Sequence, residues 1–228
     1  MKCIWLGQAG LRVEFDGVKV MVDPYLSNSV AAVNPRNERR VAVDEEFLNM
    51  RPDILVLTHD HLDHTDPETL QVILGQNEGI TVMASQNAWK NVRTYGNDHN
   101  YVMFERRTEW TEGKITFEAV HAQHSDDHAI GVLITYEGKT YYVTGDTLYH
   151  HQVIEDVKKT GKAIEAVFLP VNGAGNNMNM KDAARFAEAI DAAKVVPVHF
   201  GLFDDLKPEQ DFDCAHKIVP EIYKEVRL

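Results

Sequence analysis

Hydrophobic positions near the start of the chain fall into short alternating runs separated by turns, which is the pattern of half-buried strands rather than of helices. Cys3-Ile4-Trp5-Leu6, Leu11 to Phe15 and Val18 to Val22 are predicted strands, and Asp16-Gly17 between the last two is a hairpin signal. Pro24 stops the third strand and leaves Asp23 at its end, placed either as a turn carboxylate or to orient a ligand from behind. Residues 26 to 44 carry no comparable pattern and are expected to form a long loop.

The uninterrupted apolar run Ile54-Leu55-Val56-Leu57 predicts a fully buried strand. Past it, Thr65-Asp66-Pro67-Glu68 reads as a helix start, with Asp66 capping and Pro67 in the first turn. A strand over 80–84 and a helix over 85–92 follow. Strands return at 101–104, 114–120, 129–136 and 140–144, the last two joined at Glu137-Gly138. The remainder predicts a helix over 151–160, a strand over 166–169, a helix over 181–192, a strand over 195–198 and a final amphipathic helix over 210–224. The order β-rich, α/β, β-rich, α/β suggests an α/β protein of two packed sheets with helices outside, in one domain spanning residues 1–228.

Charge narrows the partners. Thirty-five acidic against 23 basic residues give a formal net charge of −12, which disfavours binding to a phosphate backbone, so no nucleic acid is expected. Cys3 and Cys214 lie at opposite ends and form no ligand-like pair, consistent with free thiols in a reducing cytoplasm. No segment approaches the ~20 apolar residues of a membrane span, so no membrane partner is expected. A homo-oligomer is compatible with the sequence.

The chemistry concentrates directly after the buried strand, in Thr58-His59-Asp60-His61-Leu62-Asp63-His64. Imidazole and carboxylate are the ligands that suit zinc, manganese or iron, and a tight turn lets residues so close in sequence face a common point. A solvated polar turn has no need of three histidines and two aspartates. Later strands also end in candidate ligands: His121 or His124 after 114–120, Asp146 after Gly145, and His199 after 195–198. Residues three apart on an extended chain face opposite sides, so His121 and His124 are not expected to share an ion. Each of these residues alone is weak evidence. Together they make two sets, His59, His61 and His124 for one metal and Asp63, His64, Asp146 and His199 for the other. Neither set uses cysteine and both leave room for water, as catalytic sites do.

These pieces resemble the metallo-β-lactamase fold superfamily over nearly the whole chain: Val22-Asp23-Pro24, the His59 to His64 cluster, His124-Ser125, Gly145-Asp146-Thr147 and Pro197-Val198-His199-Phe200-Gly201, in the family's order. The resemblance implies a four-layer αββα sandwich with a dinuclear site in the crevice at the sheet edges. Within the superfamily the chain is most similar to small ascorbate-6-phosphate-lactonase-like hydrolases, echoed in Gly7-Gln8-Ala9-Gly10 and in Leu169-Pro170-Val171-Asn172-Gly173 followed by Asn176-Asn177. The lactonase itself is longer, so the metal site carries over more safely than the substrate.

The function expected is hydrolysis by water activated between two divalent ions, Zn²⁺ first and Mn²⁺ second, acting on a small anionic ester, lactone or phosphoester. Asp63 is the expected catalytic residue, orienting the nucleophile while also binding metal, and Asp23 supports a ligand histidine from behind. Arg36, Arg39 and Arg40 in the long loop, and Asn172, Asn176 and Asn177 in the Asn-rich turn, are the candidate substrate contacts. A phosphodiesterase or nuclease on the same core, a redox diiron protein and a non-catalytic metal-binding sensor are the competing readings.

Overall fold

The computed structural model describes all 228 residues and contains two six-stranded sheets. The first runs in sequence order through β1 (Lys2–Gly7), β2 (Gly10–Phe15), β3 (Val18–Val22), β4 (Ile54–Leu57), β5 (Thr81–Ala84) and β6 (Asn100–Met103). The second has β7 (Glu109–Glu112) at one edge, then β8 (Ile115–His121), β9 (Ile130–Tyr136), β10 (Lys139–Val143), β11 (Ile164–Pro170) and β12 (Val195–Val198) at the other. Hairpins make the antiparallel pairs β1-β2-β3 and β7-β8-β9-β10, whereas β3 to β6 and β10 to β12 are parallel. Parallel neighbours need crossovers, and helices lie in all five of these connections: the short α1 (Ser29–Val33) and α2 (Glu45–Leu48) between β3 and β4, α3 (Pro67–Ile73) between β4 and β5, α4 (Gln86–Val92) between β5 and β6, α5 (His151–Lys159) between β10 and β11, and α6 (Met180–Ala189) between β11 and β12.

Alternation along the strands sorts the two faces. Val20, Val22, Ile54, Val56 and Met83 point into the main core shared with the second sheet, while Met21, Leu55, Leu57, Val82 and Ala84 pack outward against Leu70 and Ile73 of α3 and Ala88 and Val92 of α4. On the second sheet, Val153 and Val157 of α5 and Phe186 of α6 join the main core cluster. The result is the αββα layering expected, helices outside two face-to-face sheets.

Three expectations change. The loop over 26–44 carries a short helix at Ser29–Val33 and a single 3-10 turn at Pro35–Asn37, and Glu45–Leu48 adds another helical turn capped by the Asp44 side chain. Glu109–Glu112 is a strand that its polar residues concealed, an exposed edge strand that pairs only with β8. The final helix over 210–224 is absent: helix occurs only at Pro208–Asp211, and the rest is irregular, with turns and two isolated bridges from Lys217 to Val195 and Glu225 to Ile4. Pro220 lacks a donor for a helical ladder, and His216 and Tyr223 sit at φ of 59° and 62°, outside helical space.

Candidate metal centre

The chain brings its ligand-type residues together where β3, β4, β8, β10 and β12 end. Asp23 follows β3, the His59 to His64 turn follows β4, His124 follows β8 by three residues, Asp146 follows β10 and His199 follows β12. Gly145 lets two of these turns approach, since at its φ of 60° a Cβ would stand 2.9 Å from Ile130 O and from the Thr58 side chain. Gln8, Asp23 and His199 each hold positive φ, 46°, 43° and 61°, a backbone strain that persists where surrounding contacts over-determine it.

Three groups of donors form, of which one, Asp23 with His59 and His64, takes its histidines from the other two. His59, His61 and His124 lie with ligand atoms within 4.8 Å of one another, as do those of Asp63, His64 and His199. Asp146 faces both: its Oδ1 is 3.3 Å from His64 Nε2, and its Oδ2 is 3.2 Å from His199 Nε2 and 3.9 Å from His124 Nε2. The residues fit metal ions on the structure's own terms. Nε2 of His59, His64 and His199 and Oδ1 of Asp146 are buried with no hydrogen-bond partner, an arrangement costly unless something else binds them.

The far side of each ring is engaged. Asp23 Oδ2 accepts from His64 Nδ1 at 2.8 Å, and the same carboxylate takes Thr58 N and Thr58 Oγ1. His124 Nδ1 lies 3.2 Å from the Asn176 carbonyl, which can only accept, so that nitrogen carries the proton and Nε2 is left with its lone pair. His59 Nδ1 lies 3.1 Å from Thr58 Oγ1. Such outer contacts set the tautomer and aim of metal-binding imidazoles. His121, by contrast, ends β8 with its backbone N–H donated to Asp156 and joins neither group. Asp60 turns away, its carboxylate receiving Asn91 Nδ2 and its N–H held by Asp126.

Gln8 is the site residue the sequence did not reveal as such. It is buried, its Nε2 donates to Asp63 Oδ2 at 3.0 Å and lies 3.3 Å from His199 Nδ1, and its carbonyl accepts the His199 N–H at 2.8 Å. Only its place in Gly7-Gln8-Ala9-Gly10 hinted at it. Asn172 meets the same imidazole, Nδ2 to Nδ1 at 3.0 Å, and Asn177 Nδ2 donates to Asp146 Oδ2 at 2.8 Å. The Asn-rich turn therefore holds ligand side chains as well as lining the cavity above them.

Proton affinity differs sharply between the groups. Burial, reinforced by the charge of His64, holds His59 well below the usual imidazole range, and burial also lowers His124. In the other group burial opposes charge, but Asp146, Asp23 and Asp63 override it and lift His64, and Asp146 with Asp63 lifts His199 to about 10. Burial likewise pushes Asp63 and Asp146 up, yet the charges of His64 and His199 outweigh it and bring both below the ordinary carboxylate range.

A cavity of about 490 Å³ opens over these groups, lined among others by Asp63, Asp146, His61 and His199. Asn172, Asn176 and Asn177 line it. Arg36, Arg39 and Arg40 do not, which corrects their expected place as substrate contacts. Arg39 is spent on the chain itself, donating to Tyr25 O, Val41 O and Tyr223 Oη, Arg40 pairs with Asp205, and Arg36 is exposed. A second cavity of about 460 Å³, beside Ala184 and Cys214, contains none of the candidate ligands.

A family described as beta-lactamase superfamily domain matches residues 19–200. A UPF0173 metal-dependent hydrolase of Ligilactobacillus salivarius is 31% identical, covering 98% of this chain and 95% of its own. Among solved structures, Igni18, a metallo hydrolase from Ignicoccus hospitalis, superposes with a TM-score of 0.77 at 20% identity over 99% of this chain and 97% of its own. An isothiocyanate hydrolase from Delia radicum gut bacteria does so with a TM-score of 0.76 at 19% identity over 100% and 99%.

Proposed function

The chain belongs to the beta-lactamase superfamily, and from that premise we propose that it is a metal-dependent hydrolase working with two divalent ions, zinc or manganese, on a small ester, lactone or phosphoester. The single observation that carries this reading is the pair of adjacent donor groups, with unpartnered buried nitrogens, at the floor of an open cavity. His59, His61 and His124 would hold one ion, Asp63, His64 and His199 the other, with Asp146 shared. Bound there, such ions supply Lewis acidity, polarising the scissile oxygen and lowering the pKa of a water.

The remaining work falls to the chain's own groups. Asp63 lines the cavity and is held by the Gln8 amide. A carboxylate has capacity for several hydrogen bonds, so Asp63 can also accept one from the attacking water and orient it. Asp23 and the Asn176 carbonyl keep His64 and His124 turned with Nε2 inward. Asn177 steadies Asp146. Because these positions are fixed by buried contacts before substrate arrives, little reorganisation is left for the reaction itself.

The test is metal content and turnover on one sample. The protein prepared in metal-rich medium should carry two divalent ions per chain and hydrolyse at least one member of a panel of lactones, carboxylic esters, thioesters and phosphodiesters. A stoichiometry near zero with no rebinding by the apo form would refute the metal reading. Full loading with no turnover across the panel would leave a metal-binding sensor as the better account.

A further inference from the structure

We infer that the substrate this site accepts is uncharged at its recognition end, which selects neutral esters or lactones over carboxylate-bearing or phosphate-bearing ones; this rests on the hydrolase reading above. Of the side chains lining the cavity beyond the candidate ligands, the only acidic one is Asp204, and no lysine or arginine is present. The others are the hydroxyl of Ser125, amides, among them Asn37, Asn172 and Asn176, and small or apolar residues, chiefly Val30, Phe203 and Leu206. Asp204 is built in rather than adventitious: its Oδ1 accepts from Gly201 N at 2.8 Å and Leu206 N at 3.1 Å, closing the turn that follows His199. Of the three arginines of the nearby loop, Arg39 is committed to Tyr25, Val41 and Tyr223, Arg40 pairs with Asp205, and Arg36 is exposed outside the lining.

The end of a substrate that lies away from the candidate metal ligands therefore meets a fixed carboxylate with no lysine or arginine on the lining around it, in a protein whose net charge is −12, so an anionic group is disfavoured there even where the metal ions would draw the reacting group in. Repulsion of that kind slows encounter and weakens binding, and salt relieves it. An uncharged ligand loses nothing there and gains contact with Phe203 and Leu206 while the amides receive its polar atoms. Asp204 is thus a specificity determinant acting on the substrate's charge rather than on bond cleavage.

The experiment uses the metal-loaded protein and matched pairs. Phenylacetohydroxamic acid and its para-carboxylate are titrated by calorimetry, which reads charge preference whether or not the protein turns anything over. A neutral aryl ester and its carboxylated twin are compared for kcat/KM at low and high salt. The neutral member should win each comparison by at least about fivefold at low salt, the size expected of one like charge at a wet site. Rising ionic strength should raise kcat/KM for the anionic ester alone. Asp204→Asn, which keeps the acceptor oxygen for Gly201 and Leu206 but removes the charge, should shift the ratio toward the anion in both binding and turnover. Preference for the anionic member, with a rate that falls as salt rises, would overturn the inference. Preferential binding of the hydroxamic acid that lacks the para-carboxylate, without hydrolysis of either ester, would leave it standing and count against the hydrolase reading instead.

Discussion

The two adjacent donor groups of the candidate metal centre lie side by side yet handle protons in opposite ways. The half made of His59, His61 and His124 contains only imidazoles, and burial holds His59 and His124 below the normal range. The half made of Asp63, His64 and His199 is laced with carboxylates, and their charge lifts both histidines above it. Desolvation acts on both, so the difference comes from the neighbours: an imidazole among imidazoles sheds its proton, whereas one among carboxylates keeps it until a stronger cation arrives. His59 and His124 are thus already in the state a metal needs, while His64 and His199 must release protons to bind.

Replacing Asp63 tests the half that combines binding with chemistry and should have the largest effect. Asp63→Asn keeps the size of the side chain but lacks the charge, so hydrolysis at saturating metal should drop by about 10²–10⁴-fold, the range of a positioned acid or base. Thermal melting should show a folded protein. Turnover within a few-fold of the parent would confine Asp63 to a structural role.

The contrast between halves is sharpened by pH. Because His199 in the metal-free protein titrates near 10 and His64 is also raised, an ion entering the second half expels protons, and its affinity should rise about tenfold per pH unit for each proton expelled between pH 6 and 8. His59 and His124, already neutral there, should show little such dependence. Metal titration at several pH values, with proton release followed in weak buffer, separates one steep from one shallow isotherm; two equal slopes would erase the distinction.

Outer contacts should matter less than ligands. Gln8→Ala removes the amide that touches both Asp63 and His199, and should weaken the second ion by roughly 10–100-fold while leaving the first near its parent value. Equal weakening of both ions would point to general unfolding around β1 rather than a local role.

The smallest effect concerns stability without metal. A histidine whose folded pKa is raised contributes stability fully below its unfolded value near 6.5, and loses it as pH climbs through the folded value, about 10 for His199. Asp63 and Asp146, depressed in the folded state, contribute above the ordinary carboxylate range and lose that contribution as pH falls through it. The apo protein should accordingly melt lower at pH 9 than at pH 7, and the loaded protein should change less. An apo melting curve flat across that interval would show that the carboxylates do not hold His199 charged.

Much of the site was legible because its core is local. His59 to His64 follow one buried strand within a single turn, and no distant element is needed to bring them near each other. Asp146 and His199 were legible for a related reason, since a polar residue just past an apolar strand marks the strand end where parallel sheets gather their functional groups. The hydrophobic alternation also determined the two sheets and most helices. What only the tertiary structure decided are the partners of side chains long enough to reach several places. An arginine in a loop reads the same whether it faces a substrate or, as Arg39 does, a tyrosine 184 residues further on. A glutamine after a strand does not announce that its amide will meet an aspartate and a histidine from other elements, as Gln8 does. The last stretch, too, had helical periodicity, but its docking against β1 and β12, with Pro220 and left-handed turns at His216 and Tyr223, offered the backbone other partners. Periodicity is a property of neighbouring residues and survives in the sequence, whereas a side chain's partner depends on which distant surface folding delivers to it.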